Sequence, residues 1–164
     1  LLAGITVDTK NFCVKTGAIT FEAAAFLRRH GADSVRVRLL FQNDMASYQA
    51  KAAAVKDAQI IYENMAFSVC PSSAENSILT AAMAADDLLN IVGIKASFVC
   101  CLLEDTVYIS ARSFGEVNVQ VIMEKLGGGG HMTVSGAQLT RCSIKEAEQK
   151  LKQAIEGYLK EETK

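Results

Sequence analysis

Leu126-Gly127-Gly128-Gly129-Gly130-His131 is the stretch on which the reading of this 164-residue chain turns. Four consecutive glycines carry a conformational cost that an ordinary connection does not require, so their backbone is expected to approach something closely. A phosphate is one candidate. Successive glycine N–H groups can form a concave anion nest, and His131 can add a donor at its rim. The other reading is local: residues 117–126 read as a helix, and glycine is the usual residue just past a helix end. The run alone does not choose between the two. It is not a P-loop, because no Gly-Lys-Ser/Thr follows and the glycines come after a helix rather than between a strand and a helix.

Working outward, residues 94–103 and 106–112 read as strands joined by the two-residue turn Glu104-Asp105. In the second strand, alternation puts Val107, Ile109 and Ala111 on one face and Tyr108, Ser110 and Arg112 on the other. A hydroxyl and a guanidinium two residues apart, shortly upstream of the glycines, suit a phosphate because arginine offers a planar donor fork. An edge-strand arginine in a surface salt bridge is the alternative. Downstream, Ser143 and Glu146 form a capping box for a last helix with Ala147, Leu151, Ile155 and Tyr158 on one stripe. Upstream, Ser72 and Glu75 form another for an apolar-faced helix through Ile78 and Leu88, on which Asp86-Asp87 reads as a solvated face. Ile60, Tyr62 and residues 66–70 suggest a hairpin turning near Glu63-Asn64-Met65. Residues 45–57 read as an alanine-rich connector helix. Strands and helices interleave, so the expected class is α/β (α+β mixed), a mixed sheet flanked by helices.

The beginning of the chain reads differently. Residues 1–7 form an apolar segment, taken as a strand, that runs straight into Asp8 as though a larger domain had been cut through. A carboxylate just after such a strand faces a crevice and can ligate a metal, or it caps the next turn. An exposed apolar strand edge here favours dimerisation. A helix is expected over residues 20–30, with Thr20 as its cap, Glu22 in its first turn and Gly31 as its terminator. Asp33 or Ser34 caps another, although the Val-Arg-Val-Arg alternation of residues 35–38 also suits a strand.

Composition narrows the function. Half of the residues are hydrophobic and one is proline, which specifies a packed core rather than disorder. Seventeen basic residues against eighteen acidic give a net charge of -1, so no broad basic footprint for duplex DNA exists. The five cysteines lack C-x-x-C spacing and, with two histidines in the chain, point to reduced core residues rather than zinc ligands.

Gly4-Ile5-Thr6-Val7-Asp8-Thr9-Lys10, Thr16-Gly17 followed by Thr20-Phe21-Glu22-Ala23-Ala24, Ser110-Ala111-Arg112-Ser113 and the glycine–histidine run together resemble the DHH phosphoesterases. In particular they resemble the C-terminal part of bacterial membrane-tethered cyclic-di-AMP phosphodiesterases. The resemblance implies that residues 1–43 are the end of a DHH metal domain, 44–57 a connector and 58–164 a DHH-associated substrate-binding domain. It further implies Asp8 as the last ligand of a two-manganese site whose other ligands lie upstream. Ser110, Arg112, Gly127, Gly128, Gly129, Gly130 and His131 would surround a cyclic dinucleotide or short nucleotide. The implied parent carries sensory and membrane segments and works on the cytoplasmic side of the membrane, while this piece alone is inactive. Relatives acting as nanoRNases, pAp phosphatases or RecJ-like exonucleases share the glycine–histidine motif, and a non-catalytic nucleotide- or RNA-binding module is the reading from another class. After His131 the residues Met132-Thr133-Val134-Ser135-Gly136-Ala137-Gln138 depart from the Thr-Asn-Ala-Ala-Thr-Gln-like segment of relatives, which bears on base contacts.

Overall fold

The computed structural model describes residues 1–71 and 76–162. The chain forms two units, Leu1–Asn43 and the remainder from Asp44.

The first unit contains α1 (Leu2–Asp8), α2 (Ala18–Arg29) and α3 (Ser34–Leu39). The strand expected over residues 1–7 is therefore a helix. The Thr6 and Thr9 hydroxyls each donate to the carbonyl four residues earlier, at 2.9 and 2.6 Å, so these residues satisfy helical rather than extended backbone. The apolar strand edge expected to drive dimerisation is absent with it. α2 starts two residues before Thr20: Gly17 is its N-cap, and the Thr20 hydroxyl accepts the Gly17 N–H at 3.4 Å. Glu22 consequently falls outside the first turn. At α3 the cap decides against a strand, because Asp33 Oδ1 accepts the Val35 N–H at 2.8 Å.

The second unit runs α4 (Met45–Lys56), β1 (Gln59–Ile61), β2 (Met65–Cys70), α5 (Ser77–Leu88), β3 (Ala96–Leu103), β4 (Thr106–Ser113), α6 (Val119–Glu124), β5 (Gly129–His131), β6 (Val134–Thr140) and α7 (Ile144–Glu162). The six strands order β1-β2-β3-β4-β6-β5. β2 and β3 are parallel, with α5 as their crossover, and the other neighbours are antiparallel. The Ser72–Glu75 capping box lies outside the described residues. That of α7 is formed: Ser143 N–H and Oγ donate to Glu146 Oε2 at 2.8 and 2.7 Å, and Glu146 N–H donates to Ser143 Oγ at 3.3 Å. Among the described residues no helix is long and apolar enough to cross a membrane.

Strand alternation divides the sheet into two buried faces. Phe67, Phe98, Cys100, Val107 and Ile109 pack with Ile122 and Met123 of α6 and Leu151, Ile155 and Tyr158 of α7. On the other face Ala66, Val99 and Cys101 pack with Ala50 and Ala54 of α4 and Ala81, Ala84, Ala85 and Leu88 of α5. The second face is built from small side chains, and two buried hydroxyls bind helix carbonyls across it: Ser68 to Ala54, and Ser97 to Ala85 at 2.6 Å. Helix α5 is thereby held close over β2, β3 and part of β4. The α5 face of β4, β6 and β5 is left as a cleft of ≈ 650 Å³.

Candidate functional site

Register builds the site. Ser110 on β4 stands opposite Gly136 on β6, which stands opposite Gly129 on β5. Directly paired residues of antiparallel strands share a face, so this row carries one hydroxyl and then two positions with no side chain. The result is a bare floor at the middle of the cleft, lined by Ser110, Gly136 and Gly127 to Gly129. One row along are Tyr108 and Gln138, which also line it. One row the other way are Arg112, Val134 and His131, on the same face but beyond the cleft's lining.

The four glycines do different jobs. Gly127 has φ +76 and ends α6, as the local reading of the run expects, and its N–H donates to Glu124 O at 3.0 Å. Gly128 N–H donates to Met123 O at 2.9 Å. Those two N–H groups are spent on the helix end, so the expected nest of consecutive glycine donors is not formed by them. A Cβ on Gly128 would lie 2.1 Å from Gly136 O, and one on Gly130 would lie 2.6 Å from Val134 O. Both glycines are required because β5 rides directly against the backbone of β6. Gly129 is different: a Cβ there would meet nothing within 4 Å. Its missing side chain leaves open space over the floor.

Arg112 is mostly buried and pairs through Nε with Asp86 Oδ1 at 3.3 Å, while Nη1 donates to Ala111 O at 3.0 Å. Asp86 is thus not the solvated carboxylate expected from its alanine-rich helix. Its neighbour Asp87 accepts Lys51 of α4 at 2.7 Å. The tertiary fold brings Arg112 under α5, and the carboxylate fixes the plane of the guanidinium. His131 is exposed at the end of β5.

Asp8 sits in the first unit, exposed at the C-terminal end of α1 rather than after a strand. Among the described residues no three His, Cys, Asp or Glu side chains gather to hold a metal ion. A two-metal centre needs several ligands from several segments, so the residues present do not fit one. The cysteines take no part either. Cys70, Cys100, Cys101 and Cys142 are buried free thiols; burial pushes Cys100 up to about 12 and Cys101 up to about 11.

Sequence reasoning left out Ile78 as a cleft residue, met Gly136 and Gln138 only within the segment after His131 that departs from relatives, and kept Tyr108 only as a member of the polar face of β4. The signal missed was β6 itself. Its alternation from Ser135 to Thr140 is blurred by Gly136, whose own Cβ would come within 2.9 Å of Ile109 O.

The sequence and the fold have counterparts. The chain is 45% identical over 164 residues to the cyclic-di-AMP phosphodiesterase PdeA of Listeria monocytogenes, covering 99% of this chain and 25% of that protein. It is 47% identical over 159 residues to the cyclic-di-AMP phosphodiesterase GdpP of Geobacillus thermodenitrificans, covering 96% of this chain and 24% of that one. The chain spans about a quarter of the length of these relatives. An exopolyphosphatase-related protein from Bacteroides fragilis has the same fold, with a TM-score of 0.81 at 19% identity over 94% of this chain and 48% of that one. The model of the DHHA1 domain matches residues 57–161, a span that takes in the whole sheet, α5, α6, all but the last residue of α7, and the cleft. On that match the chain belongs to the DHHA1 domain family.

Proposed function

We propose that this chain is the substrate-binding half of a manganese-dependent phosphodiesterase that hydrolyses cyclic di-AMP to linear pApA. The observation that carries the reading is the row Ser110, Gly136 and Gly129, a side-chain-free floor beside a hydroxyl and next to Arg112. A phosphodiester is anionic and bulky at phosphorus, so it needs a surface that lets it reach backbone and a fixed guanidinium to meet its charge. Ser110 donates to a phosphate oxygen and Arg112 supplies the planar cation, with Asp86 holding its orientation. His131 stands at the end of the same face as a further donor. In the intact parent the metal chemistry would belong to a separate domain on the cytoplasmic side of the membrane, where bound manganese would activate water. The residues of this chain bind and orient the phosphate, so binding and hydrolysis separate and this piece is inactive alone.

Calorimetric titration of the chain with cyclic di-AMP and with pApA, no metal added, tests the reading. Binding that weakens at least about tenfold, or 1.4 kcal/mol, in Arg112→Ala is expected. A folded wild-type chain that binds neither would refute it. Turnover by the intact parent of short oligoribonucleotides in preference to cyclic di-AMP would move the assignment to an oligoribonuclease.

A further inference from the structure

We infer that Tyr108 and Gln138 form the base-reading end of the cleft and select adenine over guanine; the inference rests on the nucleotide reading above. The two side chains are register partners on β4 and β6, on the cleft face of the sheet. Facing side chains of such a pair have Cβ atoms roughly 5 Å apart, so ring and carboxamide address the same ligand group. Their row lies ~7 Å along the strands from the Ser110, Gly136 and Gly129 floor, two residues at about 3.4 Å each. That is the reach of a ribose between a phosphate on the floor and its base. Arg112 lies on the opposite side of the floor, so charge recognition and base recognition fall at opposite ends of one cleft.

The chemistry of the pair suits a purine. Tyr108 is half-buried against the core under α5, which fixes its ring, and Ile78 of α5 adds an apolar side chain to the lining of the same cleft. An aromatic face stacks on any base without choosing among them. Gln138 is exposed in the cleft, and among the described residues no hydrogen bond ties its carboxamide or the Tyr108 hydroxyl to the protein. A carboxamide presents one donor beside one acceptor. The N6/N7 edge of adenine presents the complementary pair, whereas the corresponding edge of guanine presents two acceptors. Stacking therefore supplies affinity and Gln138 supplies the choice.

Calorimetric titration of the chain with cyclic di-AMP and with cyclic di-GMP, on wild type and three variants, tests this. Wild type is expected to prefer the adenine ligand by about tenfold or more, as one good bidentate contact provides. Gln138→Leu should bring the two affinities together. Tyr108→Ala should weaken both alike by about tenfold, and Tyr108→Phe, which keeps the ring, should restore them. Thermal melts establish that each variant is folded. Equal affinities in wild type, or an adenine preference unchanged in Gln138→Leu, would overturn the inference and leave phosphate binding standing. Absence of binding by wild type to either ligand would remove the nucleotide reading and this inference with it.

Discussion

Replacing Gly128 and Gly129 separately with alanine distinguishes a glycine that the fold requires from one that the cleft requires. At Gly128 the new methyl would lie 2.1 Å from Gly136 O and 2.7 Å from both Ala137 Cα and Cβ. Those neighbours are backbone or stiff, so β5 must lift away from β6. Overpacking of this kind costs about 3 kcal/mol or more, which lowers the melting midpoint by roughly 10 °C in a domain of this size. At Gly129 the methyl meets nothing within 4 Å, and the residue's φ lies outside the left-handed region. The unfolded chain loses freedom while the folded one is unstrained, so Gly129→Ala should melt at the wild-type temperature or slightly above, by up to ~1 kcal/mol. Its methyl nevertheless stands on the open floor beside Gly136. Titration with cyclic di-AMP should show an affinity loss of about tenfold, some 1.4 kcal/mol. Circular dichroism melts and calorimetry on the same samples give both numbers. A Gly129→Ala chain that melts as early as Gly128→Ala would refute the reading of the open floor. One that melts normally and binds normally would refute its role in binding.

A double-mutant cycle on Arg112 and Asp86 should give a coupling of about 1 kcal/mol by denaturant unfolding, toward the low end for a contact pair because Asp86 is partly exposed. A coupling near zero would mean that Asp86 does not hold the guanidinium. Hydrogen bonds from Ser143 hold the Glu146 carboxyl below the usual carboxylate range. Its contribution is therefore full above the ordinary glutamate pKa and is lost as pH falls through the lowered folded value. Unfolding curves of wild type and Glu146→Gln should converge at acid pH and separate at neutral pH; a constant gap would count against the cap. Under native conditions at pH 8 a thiol reagent should modify Cys13 rapidly and the other four cysteines only on unfolding, because Cys13 alone is exposed. Rapid loss of Cys70 or Cys101 would show that the face beneath α5 opens, and of Cys100 or Cys142 that the face beneath α6 and α7 does.

Most of the second unit is legible in the amino-acid sequence. The box of Ser143 and Glu146, the turn Glu104-Asp105 and the alternation of β4 are local signals, each carried by residues close to one another in the chain. Where local signals compete, sequence reading fails. An apolar run such as Leu1 to Val7 suits a strand or a helix equally, and threonine bonds to the turn before it decide for helix. β5 and β6 carry too little alternation to be seen, since a strand rich in glycine has few side chains to alternate.

Sequence alone determined which residue types could meet a phosphate: a hydroxyl and a guanidinium on one strand face, and a backbone freed of side chains by four glycines. Only tertiary structure decided which of them share a surface. Pairing β6 between β4 and β5 put Ser110, Gly136 and Gly129 in one row and Tyr108 beside Gln138, far away in sequence. It also committed the Gly127 and Gly128 N–H groups to the end of α6, made Gly128 and Gly130 close-packing positions, and gave Arg112 its carboxylate partner from α5. The physical reason is that strand register and the closeness of a helix to a sheet are set by long-range packing, whereas a sequence motif reports only what its own few residues can do.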